Sequence, residues 1–146
     1  MSITNDLAPE AGTTLPGFRE EITFTTVASA PVATLDYFAV HHDPNIARSQ
    51  GLPDIILSTI QIMGFVDRVV TDWAGSGAFV KRRRTELRAS ILPGAVVHGA
   101  GVITAVDLSG PHPQVTVDVR LTDGGSTVFC KAEVTAVLTT TTTAAG

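Results

Sequence analysis

From residue 18 the chain alternates. Phe18, Ile22 and Phe24 share one parity, and Arg19, Glu21, Thr23 and Thr25 take the other. That period of two predicts a strand over residues 18–29. A short helix is expected from Pro31 to about His41, because proline suits a first helical turn. Another helical turn is expected over residues 44–50, closed by Gly51. The stretch DIILSTIQIMGFVDRVVTDWAG predicts the main helix, with Asp54 as its N-cap and Gly75 just past its end. In its first half Ile55, Ile56, Leu57, Ile60, Ile62, Met63, Phe65 and Val66 cover almost every face, and a helix apolar all round is buried. Asp67, Arg68 and Asp72 turn the second half toward water.

After Gly77 the pattern returns to strands, over residues 79–91, 95–106, 114–121 and 126–138. In QVTVDVRL, Val115, Val117, Val119 and Leu121 face one way, and Thr116, Asp118 and Arg120 the other. TDGG makes a hairpin turn. Val128, Cys130, Ala132, Val134 and Ala136 then share one face of the last strand. A buried helix, an antiparallel meander after it and an edge strand before it are all satisfied by a sheet whose apolar face wraps the helix. That arrangement is α+β, the hot-dog fold; a plain α+β sandwich is the alternative. With 146 residues the chain is one domain by length. Residues 1–17, polar and holding Pro9, Gly12, Pro16 and Gly17, are expected to be a flexible lead-in. Residues 18–138 form the domain, and the low-complexity TTTTTAAG is a disordered tail over 139–146.

Composition narrows the class of function. Apolar residues are 44% of the chain, which suits a packed domain. The net charge of −4 gives no general attraction to nucleic acid or anionic lipid. The lone Cys130 cannot pair internally, which suits a reducing compartment, and on an apolar strand face it reads as a core thiol. The first residues lack a signal peptide's basic and apolar regions, and no apolar run reaches the roughly 20 residues of a spanning helix. A cytoplasmic protein away from membranes is expected.

The candidate chemistry sits in DYFAVHHDPNIARSQGLPD, residues 36–54, with His41, His42, Asp36, Asp43 and Asp54. Metal binding, proton transfer and helix capping are the three readings. As a metal site His41, His42 and Asp43 are poor, because adjacent side chains diverge and no other His or Cys cluster completes a shell. Asp43 before Pro44 reads as a turn or cap residue. An Asp and a His around one water can share proton transfers. Five residues on an unbroken helix turn about 500°, leaving Asp36 and His41 about 140° apart, so a shared site needs the helix to end between them. The alternative makes Asp36 a cap and His41 a satisfied, partly buried histidine. Lys81, Arg82, Arg83 and Arg84 form either a solvated strand edge or a phosphate contact. His98 and His112 carry no readable signal.

The same stretch resembles the MaoC-like, or R-specific enoyl-CoA, hydratases. Their motif is Asp-x-Asn-Pro-x-His, then x-Asp-Pro, an alanine, a glycine and the buried helix. Here those landmarks are Asp36, His41, Asp43-Pro44, Ala47 and Gly51, and LPGAVVHGAGVITAV resembles the family's Pro-Gly turn and following strand. The chain is still more similar to the short subunits of heteromeric steroid side-chain hydratases, through His41-His42-Asp43, Asp54-Ile55 and Thr71-Asp72-Trp73-Ala74-Gly75. It departs where the family has Asn-Pro, here Phe38-Ala39, and where it has His-Gly at the helix start, here Ser58-Thr59.

The resemblance implies a hot-dog enzyme that adds water to a 2-enoyl-CoA thioester, plausibly one with a steroid side chain, or removes it in reverse. Asp36 and His41 are the implied catalytic pair, with neither assigned as acid or base. Backbone N–H groups at Ser58 and Thr59 would hold the thioester oxygen, a role suited to a helix N-terminus. Lys81, Arg82 and Arg83 are the candidates for the CoA phosphates. No metal or redox cofactor is implied, CoA being part of the substrate. The implied partner is a second MaoC-like chain, in a heterodimer, heterotetramer or homodimer. The rival expectations are a 3-hydroxyacyl carrier-protein dehydratase using the same pair and a non-catalytic hot-dog partner subunit. A thioesterase is more distant, since Asp67 lies late on the helix.

Overall fold

A computed structural model describes residues 9–139. The expected segments at 1–8 and 140–146 lie outside the described residues. The chain runs β1 (Phe18–Glu21), α1 (Phe24–Thr34), α2 (Pro44–Ser49), α3 (Thr59–Ala74), β2 (Ala78–Leu87), β3 (Val96–Asp107), β4 (Gln114–Thr122) and β5 (Val128–Leu138). The five strands form one antiparallel sheet in the order β1-β3-β4-β5-β2. α3 packs on β2, β3, β4 and β5. This is the α+β, hot-dog arrangement the pattern predicts.

The inner face follows from alternation. Val115, Val117, Val119 and Leu121 of β4 are buried, as are Cys130, Ala132, Val134 and Ala136 of β5. Against them α3 lays Ile62, Phe65, Val66, Val69 and Val70. Removing that apolar area from water is the main stabilising term. β3 contributes space as well as volume. A Cβ on Gly101 would meet Val69 Cγ1 at 2.7 Å and Val117 Cγ1 at 3.1 Å, so glycine lets the helix approach the sheet. At the sheet's edge Phe18 packs on Phe65, ring centroids 5.6 Å apart, under the Arg68 guanidinium.

Several expected boundaries move. The strand expected over 18–29 stops at Glu21, because Thr23 accepts the Thr26 N–H at 3.0 Å and caps α1. The helix expected after Pro31 therefore starts earlier, and Pro31 lies inside it. The main helix starts at Thr59 rather than after Asp54, with Ser58 as its N-cap. Residues 55–57 are irregular instead. The Ile56 N–H bonds the Val40 carbonyl at 3.1 Å and the Leu57 N–H bonds the Ile91 carbonyl at 2.9 Å. These tertiary bonds override local helix preference, and the all-round apolar pattern marks a buried strap joined to a one-sided helix. β2 leaves the meander and crosses to the far edge beside β5. Part of the expected lead-in is attached to the sheet. Thr14 bridges Val102, the Leu15 N–H bonds the Gly101 carbonyl at 2.8 Å, and Leu15 is buried.

Candidate active site

Between α1 and α3 the backbone is irregular, and that irregularity builds the site. Leu35 turns into the left-handed region at φ 57° and ends α1. Asp36 to Phe38 then run to a single 3-10 turn over Ala39–His41. The helix break that a shared site requires is thus present between Asp36 and His41. Asp36 Oδ2 comes to 3.5 Å from His41 Nε2.

His41 is fixed from its other side. Its Nδ1 lies 2.7 Å from the carbonyl oxygen of Ile56. A carbonyl only accepts, so Nδ1 carries the proton and donates it. In the neutral tautomer this leaves Nε2 an acceptor facing the Asp36 carboxylate at 3.5 Å, an arrangement that can receive a proton from a nearby water. Phe38 sets the edge of its ring against the imidazole, centroids 5.9 Å apart at 76°.

Ser58 supplies the third element. Its Oγ accepts the Gln61 N–H at 3.3 Å and its carbonyl accepts the Ile62 N–H at 3.1 Å. The N–H groups of Thr59 and Ile60 have no protein acceptor among the described residues. They are donors at the positive end of α3, able to stabilise a developing negative oxygen. Among the described residues, His41 and Ser58 are the only polar residues buried with the core. A buried polar group needs a partner or a purpose, and these two flank one backbone strap, residues 54–58.

A groove of about 260 Å³ opens at this end of α3, lined by Ile56, Leu57, Thr59, Ile62 and residues 87–90. The cation lining it is Arg88. Lys81, Arg82 and Arg83 stand further back along β2. Lys81 Nζ donates to Gln114 Oε1 at 3.0 Å, and Arg83 pairs with Asp67 and also reaches Met63. A larger hollow, about 370 Å³, lies on the charged outer face of β2, β4 and β5. It contains none of the buried polar residues.

The other expected residues separate cleanly. His42 is exposed, with Nε2 3.3 Å from the Tyr37 carbonyl. Asp43 caps α2, accepting the N–H groups of Asn45 and Ile46 at 2.9 and 3.2 Å. Asp54 accepts its neighbour's N–H, that of Ile55, at 2.8 Å. Cys130 is buried, and burial pushes its thiol pKa up, away from the reactive thiolate. Among the described residues no group of three or more His, Cys, Asp or Glu side chains is placed to hold a metal ion. Among the described residues no helix is long and apolar enough to cross a membrane. The sequence does not reveal the Ile56 carbonyl, the Ile60 N–H or the Leu87–Ser90 wall. Backbone groups leave no residue-type signal.

Comparison with known proteins places this geometry. The sequence family described as "MaoC like domain" matches residues 9–125. The beta subunit of 3-oxo-4,17-pregnadiene-20-carboxyl-CoA hydratase from Mycobacterium tuberculosis is 32% identical over 111 residues, 68% of this chain and 86% of that protein. A chain in the crystal structure of the ChsH1-ChsH2 complex of the same organism superposes with a TM-score of 0.83 at 30% identity, covering 90% of this chain and 99% of that one. The (R)-hydratase of A. caviae involved in PHA biosynthesis shares the fold, with a TM-score of 0.79 at 18% identity over 92% of this chain and 99% of that one.

Proposed function

Since the chain belongs to the MaoC-like domain family, we propose that it is an enoyl-CoA hydratase whose acid–base pair is Asp36 and His41. The observation that carries this reading is the orientation of His41. Its Nδ1 is held by the Ile56 carbonyl, and Nε2 is left facing Asp36 across 3.5 Å. A water held there loses a proton to the pair as its oxygen bonds Cβ of the enoyl thioester. The double-bond electrons move toward the thioester carbonyl, whose oxygen becomes an enolate. The free N–H groups of Thr59 and Ile60 stabilise that charge. The pair then returns the proton to Cα, so hydroxyl ends on Cβ, hydrogen on Cα, and the pair is regenerated. Ser58 serves by capping α3 and holding those donors in place.

The substrate proposed is a steroid-type acyl thioester, in line with the name of the 32%-identical relative. The groove of about 260 Å³ is smaller than the roughly 300–1,000 Å³ of ordinary ligand pockets. A large acyl group therefore needs a further wall, and a second MaoC-like chain would provide it. Lys81 and Arg82 would meet the phosphates at the far end of CoA, with Arg83 holding α3 through Asp67. A cytoplasmic location belongs to the same proposal.

The test mixes the chain, alone and with a MaoC-like partner, with a steroid 2-enoyl-CoA and with a short one. Loss of the enoyl-thioester absorbance, with gain of one water by mass, is expected and is expected to vanish in Asp36→Asn. Absence of water addition under every pairing would overturn the hydratase reading. Turnover only of carrier-protein thioesters would reassign the substrate.

A further inference from the structure

We propose that Phe38 is the specificity residue of this site. Its ring forms an apolar wall against which a bulky, flat acyl group packs beside the reacting double bond. This rests on the hydratase reading. Two observations converge on it. The ring stands edge-on to the His41 imidazole, centroids 5.9 Å apart, yet is 57% exposed. One side of Phe38 therefore touches the proton-transfer group while the other is open. Finally, Leu35 and Tyr37, which bracket Asp36, are also large, apolar and more than half exposed. A concentrated apolar lip around a carboxylate marks a surface meant to be covered.

The position of this lip decides what covers it. The groove at the start of α3 is lined by Ile56, Leu57, Thr59, Ile62 and residues 87–90, and includes none of residues 35–38. The pair thus has two flanks. The groove flank carries the free N–H donors and takes the thioester carbonyl. The Phe38 flank presents the rings of Phe38 and Tyr37 and the Leu35 side chain, and takes the hydrocarbon. The Phe38 carbonyl accepts the His41 N–H at 3.1 Å, so the backbone that carries the wall also carries the imidazole. A rigid aromatic plane favours a fused-ring acyl group over a short flexible chain, because it covers more area at less ordering entropy.

The experiment compares wild type, Phe38→Ala, Phe38→Asn and Phe38→Tyr, in the assembled complex if turnover requires one. Each is assayed on a steroid 2-enoyl-CoA and on a short straight-chain 2-enoyl-CoA. Phe38→Ala and Phe38→Asn are expected to lower kcat/KM for the steroid thioester by about 10–200-fold, mainly through KM. The short substrate should be nearly unaffected, and Phe38→Tyr should retain the preference. An equal fall on both substrates would overturn the proposal and make Phe38 a positioning residue for His41. No change on either, or loss of complex assembly on gel filtration, would also overturn it. A second arm measures equilibrium binding of saturated steroid acyl-CoA and butyryl-CoA in an Asp36→Asn background. Weaker binding of the steroid ligand alone on Phe38→Ala supports the wall even if wild type hydrates neither thioester, a result that would count against the hydratase reading alone.

Discussion

The sheet with α3 and the strap over residues 54–58 enclose one core by different means. In the sheet, side-chain volume does the work. β4 and β5 bury one residue in two, and α3 fits because Gly101 leaves room for Val69. In the strap, backbone bonds replace regular structure. The Val40 carbonyl holds the Ile56 N–H, the Ile56 carbonyl holds His41, and the Ile91 carbonyl holds the Leu57 N–H. The difference teaches why the chemistry is where it is. A regular strand or helix uses its carbonyls internally, whereas the strap has one to spare for orienting an imidazole. Stability concentrates in one region and the proposed proton transfer in the other.

The sharpest way to break that division is Asp36→Asn. It removes the titrating oxygen at nearly constant volume. Turnover is expected to fall by about 10²–10⁴-fold while the melting temperature holds. A large drop in melting temperature would place Asp36 among the groups that support the strap. The reciprocal change is Gly101→Val. Its side chain would press on Val69 and Val117, and overpacking of this kind costs about 1–3 kcal/mol. A thermal melt should show the loss, with hydration per folded molecule preserved. An unchanged melt would mean that α3 is free to shift off the sheet.

Legibility in the sequence follows the same division. Alternation found β3, β4 and β5, because burying one face imposes a period of two. The family resemblance in residues 36–51 pointed to Asp36 and His41, and Pro44 and Gly51 marked the helical turn after them. The strap was illegible. Ile55, Ile56 and Leu57 have the composition of a buried helix, and bonds to Val40 and Ile91 hold them outside it. The capping role moved from Asp54 to Ser58 for the same reason. α1 was hidden because Thr23 to Thr34 shows no strong apolar stripe, and its start depends on a single threonine cap.

Ser58 is where the two regions meet, so Ser58→Ala should affect both readouts. Loss of the cap on α3 costs about 0.5–2 kcal/mol. The Thr59 and Ile60 donors would lose their fixed direction, lowering kcat more than raising KM. Ser58→Thr, which keeps an accepting oxygen, should restore both. A melt that changes without any change in kcat would separate the cap from the oxyanion donors.

The smallest expected effect concerns a polar turn of the sheet half. Asp123 closes the β4–β5 hairpin, accepting the N–H groups of Gly125 at 2.8 Å and Thr127 at 3.0 Å through one oxygen. Hydrogen bonding from the Thr127 side chain, then from the Gly125 N–H, holds its carboxyl below the ordinary value of 3.8. A folded pKa below the unfolded one means that the charged form is favoured by folding. The contribution is therefore present above about pH 4 and lost as pH falls through the lower folded value. The group is fully exposed, so water screens most of it. Thr127→Val removes the hydroxyl and keeps the β-branch. The Asp123 carboxyl, followed by NMR, should then titrate nearer the ordinary value, with the midpoint of acid unfolding hardly moved. A pKa that stays put would assign the shift to the backbone N–H groups alone, and the hairpin would then hold its turn as the strap holds His41, through the main chain.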